Sequence, residues 1–130
     1  MKKGQRLYPK IEALINSLAV TKISDKRQEA LQGLIDFIQE KINTGRTINL
    51  NFICTHNSRR SHLSQVWAQT MAAYFNVNNV YCYSGGTEAT ALFPMAVKTL
   101  MNAGFKIATL AESRNPVYSI KYGENEQPII

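Results

Sequence analysis

The stretch CTHNSRRS, residues 54–61, lies where an alternating apolar segment gives way to an amphipathic one. The preceding residues TINLNFI, 47–53, alternate apolar and polar side chains in the pattern of a half-buried strand. The apolar residues that follow recur near the helical period of about 3.6: Leu63, Val66, Trp67, Met71 and Tyr74. The sequence therefore predicts a strand, a short loop and a helix in direct succession.

A second unit of the same kind follows along the chain. NVYCYS (79–84) is predicted to form a strand and SGGTEAT (84–90) a loop, and Pro94 opens a helix that ends at Gly104. The order strand, helix, strand, helix is typical of an α/β fold with parallel strands. Beyond Gly104 the pattern weakens, with a strand predicted at 116–122 and a short returning strand at 127–130.

Two helices are predicted before the first strand. Residues 7–18 carry apolar side chains at helical spacing, and Ser24 is a plausible N-cap for a second helix that ends near Thr44-Gly45. We expect both helices to pack on the rest of the chain, the second through one face: Leu31, Leu34, Ile35, Ile38 and Ile42. The predicted organisation is a two-helix extension at 1–46 and an α/β domain at 47–130.

Composition, apolar run length and net charge indicate which broad class of protein this chain belongs to. The chain has 130 residues, of which 45% are hydrophobic and 18% charged, the balance of a single globular domain. No apolar run approaches the length of a membrane span, so we expect a cytosolic protein. The net charge of +6 suits anionic partners, but no nucleic-acid motif accompanies it. We therefore expect a solvated basic surface rather than nucleic-acid binding.

The two cysteines, Cys54 and Cys82, are too few for a disulfide framework. The histidines, His56 and His62, show no spacing typical of a zinc site. The sequence implies neither a metal nor an organic cofactor. Cys82 lies within a predicted strand, and we expect it to be a buried core residue.

The loop after the first strand has the features of an oxyanion site. At the end of a parallel strand, the unpaired N–H groups of the next helix and its dipole favour an anion. Arg60 can add a planar, bidentate positive charge, and the same groups should lower the pKa of the Cys54 thiol. Ser61 can donate a hydrogen bond to that sulfur, and Asn57 suits the bend of a tight loop.

The pattern Cys54, Asn57, Arg60 and Ser61 between a strand and a helix resembles the low-molecular-weight protein tyrosine phosphatases and the related thioredoxin-coupled arsenate reductases. The segments SGGTEA (84–89) and FPMAVKTLMNAGF (93–105) are similar to the downstream pattern of that group. The resemblance covers about residues 47–107. It implies a phosphatase-like α/β fold in three layers around a parallel sheet, incomplete at its C-terminal end and preceded by a helical extension.

The resemblance also implies roles for the loop residues. Cys54 would be the nucleophile, Arg60 would bind the equatorial oxygens, Asn57 would hold the loop and Ser61 would assist the sulfur as leaving group. The backbone amides of the loop would cradle the anion: Thr55, His56, Asn57, Ser58, Arg59 and Arg60. The substrate would be a phosphorylated protein, a small phosphomonoester or arsenate.

This sequence departs from the family pattern in several places. His56 stands where the family often has Gly, and Arg59 where many members have a second Cys. His56 could contact the substrate and Arg59 could add positive charge at the rim of the pocket, but we expect both side chains to face solvent. His62, in the first turn of the helix, has no assigned role. The family's general acid is an Asp in a later Asp-Pro loop, whereas this chain has only Asp25 and Asp36, before the loop.

Three functions therefore remain open. The first is a cysteine-dependent phosphatase acting on phosphotyrosine or another phosphomonoester. The second is arsenate reduction, with thioredoxin as partner and with resolving thiols that Cys82 does not match. The third is a phosphate-binding module with little turnover, because the general-acid Asp is absent. An exposed edge of an incomplete sheet would also favour self-association.

Overall fold

The computed structural model describes residues 6–18, 22–55, 60–87, 94–111 and 117–130. Its elements in chain order are α1 (Pro9–Asn16), α2 (Asp25–Asn43), β1 (Ile48–Cys54), α3 (Arg60–Tyr74), β2 (Val80–Gly86), α4 (Pro94–Ala103), β3 (Lys106–Ala111) and β4 (Val117–Lys121). None of the described helices is both long enough and apolar enough to cross a membrane.

The α/β prediction is confirmed by the pairing of β1 with β2. The two strands are parallel and in register from Ile48 opposite Val80 to Cys54 opposite Gly86. A parallel pair needs a crossover connection, and α3 supplies it. The helix packs against both strands, so the carboxyl ends of β1 and β2 meet at one edge of this sheet.

The part of the chain that follows α4 forms a second sheet, which is antiparallel. β3 pairs with β4 from Lys106 opposite Lys121 onward, and Ile120 forms a further antiparallel bridge with Ile129. The predicted strand at 116–122 and the return of the chain at 127–130 are thus confirmed. The sequence did not predict β3, because residues 106–111 carry few buried side chains.

The helix α3 separates the parallel sheet from the main hydrophobic core. That core is built by α3, α1, α4, the antiparallel strands and the last residues: Leu7, Ile11, Ile15, Val66, Ala73, Leu100, Phe105, Ile120, Tyr122 and Ile129. The ring of Trp67 meets that of Phe105 edge-on, with centroids 5.1 Å apart. The division of the chain at residue 46 stays a prediction.

The helix α2 forms as predicted, but its apolar face is not buried by the described residues. Ser24 caps it by accepting a hydrogen bond from the Arg27 N–H at 3.1 Å. No residue of α2 is buried, and Ile35 is 51% exposed. Periodicity identifies which face of a helix is apolar; it does not identify what covers that face.

Gly104 ends α4 in a conformation that only glycine adopts readily. Its φ is +116°, and the Phe105 N–H donates back to the Leu100 carbonyl at 3.1 Å, as in a glycine-terminated helix. A Cβ at Gly104 would lie 3.1 Å from the backbone nitrogen of Ile11. The close approach of α1 to the end of α4 therefore depends on the missing side chain.

We predict that Gly104→Ala destabilises the protein by about 1–3 kcal/mol, since the positive φ costs roughly 1–2 kcal/mol and the new methyl group pushes against α1. Gly33→Ala in α2 is the matched control, because a Cβ there has no atom within 4 Å. That control should stabilise the helix by about 0.5–1 kcal/mol. Urea unfolding midpoints measure both, and equal shifts for the two variants would contradict this account of the α4 end.

Candidate functional site

The site predicted from the sequence begins where β1 ends and α3 starts. Cys54 is the last residue of β1, and Arg60 and Ser61 are the first two residues of α3. Cys54 is half-buried, Arg60 is exposed and Ser61 is 2% exposed. The predicted loop residues His56, Asn57, Ser58 and Arg59 lie outside the described residues, so their roles stay predictions.

The structure places the thiol of Cys54 next to the hydroxyl of Ser61. The Sγ and Oγ atoms are 3.2 Å apart, across a separation of seven residues. When Cys54 is ionised, the hydroxyl of Ser61 can donate to the sulfur, since a thiolate only accepts. Ser61 is buried in the first turn of α3, so the start of this helix fixes the position of its hydroxyl beside the sulfur.

Thr55 connects the loop after β1 with the segment after β2. Its carbonyl oxygen accepts two hydrogen bonds from Thr87, one from the backbone N–H and one from the side-chain hydroxyl, each 3.0 Å long. Thr87 lies in the segment SGGTEA (84–89), but the sequence alone does not predict this role for it. These bonds hold the two strand ends together directly beside Cys54.

His62 and Ser84 form a second contact near the same edge. The Nδ1 atom of His62, in the first turn of α3, lies 3.4 Å from the Oγ atom of Ser84, in β2. Ser84 pairs with Phe52, two residues before Cys54. His62 therefore bridges α3 to β2 close to the candidate site, a contact that spacing along the sequence did not reveal.

The second cysteine is distant from the first and chemically different. Cys82 pairs with Leu50, four residues before Cys54 on the same strand, which corresponds to about 13 Å along a strand. A disulfide needs Cα atoms within about 7 Å. Cys82 is 6% exposed, as predicted for a core residue, and burial raises the pKa of its thiol to about 11.

The arrangement brings a half-buried thiol, a hydroxyl donor and the N-terminus of a helix of 15 residues to one point. A helix N-terminus attracts negative charge through its unpaired N–H groups and its dipole. Among the described residues, no three His, Cys, Asp or Glu side chains cluster in a way that would hold a metal ion. The thiol of Cys54 therefore lies at a place where an anion would be favoured.

A comparison with known proteins supports the resemblance. A stretch of 58 residues, 44% of this chain, is 41% identical to a protein of Bacillus licheniformis named arsenate reductase. The match covers 38% of that relative, so the chain spans well under half of the relative's length. No family model matches the chain, and no solved structure matches it.

We predict that iodoacetamide alkylates Cys54 and spares Cys82 in the native protein at pH 8. A thiol with a pKa of about 11 is ionised in roughly one molecule in a thousand at that pH, and alkylation requires the thiolate. Peptide mass spectrometry after a short pulse measures both sites. In urea the two thiols should react equally; equal reaction in the native protein would contradict the assigned difference between them.

Proposed function

We propose that this protein binds a tetrahedral oxyanion at the start of α3 and that Cys54 attacks it, with a phosphomonoester as the first candidate substrate. The observation that carries the proposal is the 3.2 Å contact between Cys54 Sγ and Ser61 Oγ at the meeting point of β1 and α3. The partial similarity to an arsenate reductase supports the same class of anion.

The proposed phosphatase reaction has two steps. The Cys54 thiolate attacks phosphorus, an S–P bond forms and the P–O bond to the leaving group breaks, so that the leaving oxygen carries away the electron pair. Water then attacks phosphorus, the S–P bond breaks and the thiolate is restored. Ser61 assists the second step, because its hydroxyl donates to the sulfur as negative charge returns to it.

Arg60 supplies permanent positive charge at the same point. It is the first residue of α3 and is exposed, so its guanidinium can reach an anion bound at the helix end. A planar guanidinium binds two oxygens of a phosphate or arsenate at once. The loop amides and Asn57, as predicted from the sequence, would complete the binding site.

Protonation of the leaving group limits the substrates of such a site. Asp25 and Asp36 are the two Asp residues of the chain, and both lie on α2. The Asp36 carboxylate accepts a hydrogen bond from Gln32 at 2.8 Å. A site in which neither Asp25 nor Asp36 acts as the general acid loses a rate factor of roughly 10²–10⁴ for leaving groups that must be protonated. Aryl phosphates should therefore react much faster than alkyl phosphates.

Arsenate reduction is the second candidate, favoured by the name of the similar protein. In that reaction Cys54 would displace water from arsenate and form an S–As bond. A second thiol would then attack the Cys54 sulfur, and the electron pair of the S–As bond would leave with arsenic as arsenite. Cys82 lies about 13 Å away along the strand, too far to be this second thiol, and thioredoxin is a candidate partner in the reaction. A reducing compartment, such as the cytosol expected from the sequence, would keep Cys54 competent in either reaction.

We predict that the protein hydrolyses p-nitrophenyl phosphate and that Cys54→Ser abolishes the reaction, since a hydroxyl at this position is a far weaker nucleophile than a thiolate. Ser61→Ala should lower kcat roughly tenfold or more, because a hydrogen bond to a charged group is worth about 1.5–3 kcal/mol. Steady-state rates at saturating substrate measure both effects. The Cys82→Ser variant is the control and should leave the rate unchanged.

The same variants separate the alternatives. Arsenate-dependent oxidation of thioredoxin that needs Cys54, without phosphatase activity, would replace the first candidate by the second. Binding of phosphate, measured by calorimetry, without any turnover would reduce the site to an anion-binding module. Activity that survives Cys54→Ser would overturn the proposal in every form.

A further inference from the structure

The backbone that follows Cys54 is held by the neighbouring strand. Beyond the last pair of the parallel ladder, Cys54 opposite Gly86, the Thr55 carbonyl accepts from both the N–H and the hydroxyl of Thr87, at 3.0 Å each. A carbonyl oxygen has two lone pairs, and these two donors occupy both. Thr55 is thereby fixed at the point where the chain leaves β1.

The hydroxyl of Thr87 adds to a contact that the backbone already makes. Thr55 and Thr87 are both exposed, so water can take the place of the side-chain bond while the backbone bond remains. The branched side chain of threonine restricts χ1, which keeps the hydroxyl directed at the carbonyl. Such a bond contributes only modestly to stability, so its position one residue after the candidate nucleophile is the more informative feature.

The strand that leads to Thr87 is itself anchored by α3. On the side of β2 that faces away from β1, Gln69 donates from its side-chain amide to the Val80 carbonyl at 2.8 Å and accepts from the Cys82 N–H at 2.9 Å. Gln65 donates to the Cys82 carbonyl at 3.0 Å. The helix therefore fixes the strand at whose end Thr87 lies.

Three contacts together define where the sulfur of Cys54 lies. The parallel ladder holds the strand before Cys54, Thr87 holds the residue after it, and the hydroxyl of Ser61 lies 3.2 Å from the sulfur. A nucleophile reacts from a distance of about 3–3.5 Å with its orbital aligned, and a displacement of about 1 Å can cost on the order of 100-fold in rate. The contact after Cys54 is therefore relevant to the rate of attack.

We propose that Thr87 is a positioning residue for the attack by Cys54, an inference that rests on the proposed function. Thr87 acts through the Thr55 carbonyl and not on the anion, which Arg60 and the N-terminus of α3 would bind. Loss of the Thr87 hydroxyl should therefore slow the attack and leave the affinity for the anion nearly unchanged.

Two variants of Thr87 and a matched control test this role with p-nitrophenyl phosphate. Thr87→Val replaces the hydroxyl by a methyl group and should lower kcat/KM roughly two- to tenfold, the effect of losing one hydrogen bond. Thr87→Ser keeps the hydroxyl and should restore most of that rate. Thr99→Val is the control, because the exposed Thr99 donates its hydroxyl to the Met95 carbonyl at 2.7 Å in α4, and its kcat/KM should equal that of the unaltered chain.

Binding of inorganic phosphate distinguishes positioning from a general loss of folded protein. Its inhibition constant, and the number of sites per chain measured by calorimetry, should be the same in all four proteins. Cys82 should also stay resistant to iodoacetamide in each of them. Fewer phosphate sites, weaker inhibition or a reactive Cys82 in Thr87→Val would assign Thr87 a role in folding or binding alone and overturn the proposal.

The outcomes separate this proposal from the one on which it rests. An unaltered chain that turns over neither p-nitrophenyl phosphate nor arsenate overturns the proposed function, and the role of Thr87 with it. An active chain in which Thr87→Val is as fast as the unaltered protein, or Thr87→Ser as slow as Thr87→Val, overturns the positioning role alone. Where arsenate-dependent oxidation of thioredoxin is the activity, the rate of that reaction is compared among the same variants.

Discussion

The contact of α3 with the parallel pair is the interaction on which the rest of the structure depends. One helix begins beside Cys54, places Ser61 against its sulfur and anchors β2 through Gln65 and Gln69. A neighbouring face of the helix contributes Val66 and Ala73 to the main core. A change that moved α3 along its axis would disturb the candidate site, the sheet edge and the core together.

Periodicity was sufficient to predict the elements that build this arrangement. The alternation before Cys54 and the helical spacing after Ser61 predicted β1 and α3, and NVYCYS predicted β2. Side-chain contacts between distant residues could not be predicted in this way. The bonds from Thr87 to the Thr55 carbonyl and the His62–Ser84 contact depend on the register of two strands, which a pattern along one strand does not contain.

The expectations that were less successful have a common physical cause. The strand β3 was missed because a surface strand buries too little to show a clear alternation. The helix α2 was expected to pack through its apolar face, yet the described residues leave that face largely uncovered. In both cases the sequence shows which residues of an element are apolar. Whether those residues are buried depends on a neighbouring element, which the local pattern does not specify.

The two glutamines of α3 have a consequence for how this chain tolerates insertions and deletions. Four residues of helix rise about 6.0 Å, and two residues of strand about 6.6 Å, so Gln65 and Gln69 match successive outward groups of β2. Because these two repeat lengths are nearly equal, the two glutamine side chains stay aligned with alternate residues of the strand. Adding or deleting one residue between the glutamines, or between Val80 and Cys82, would break the match and leave buried amides unsatisfied.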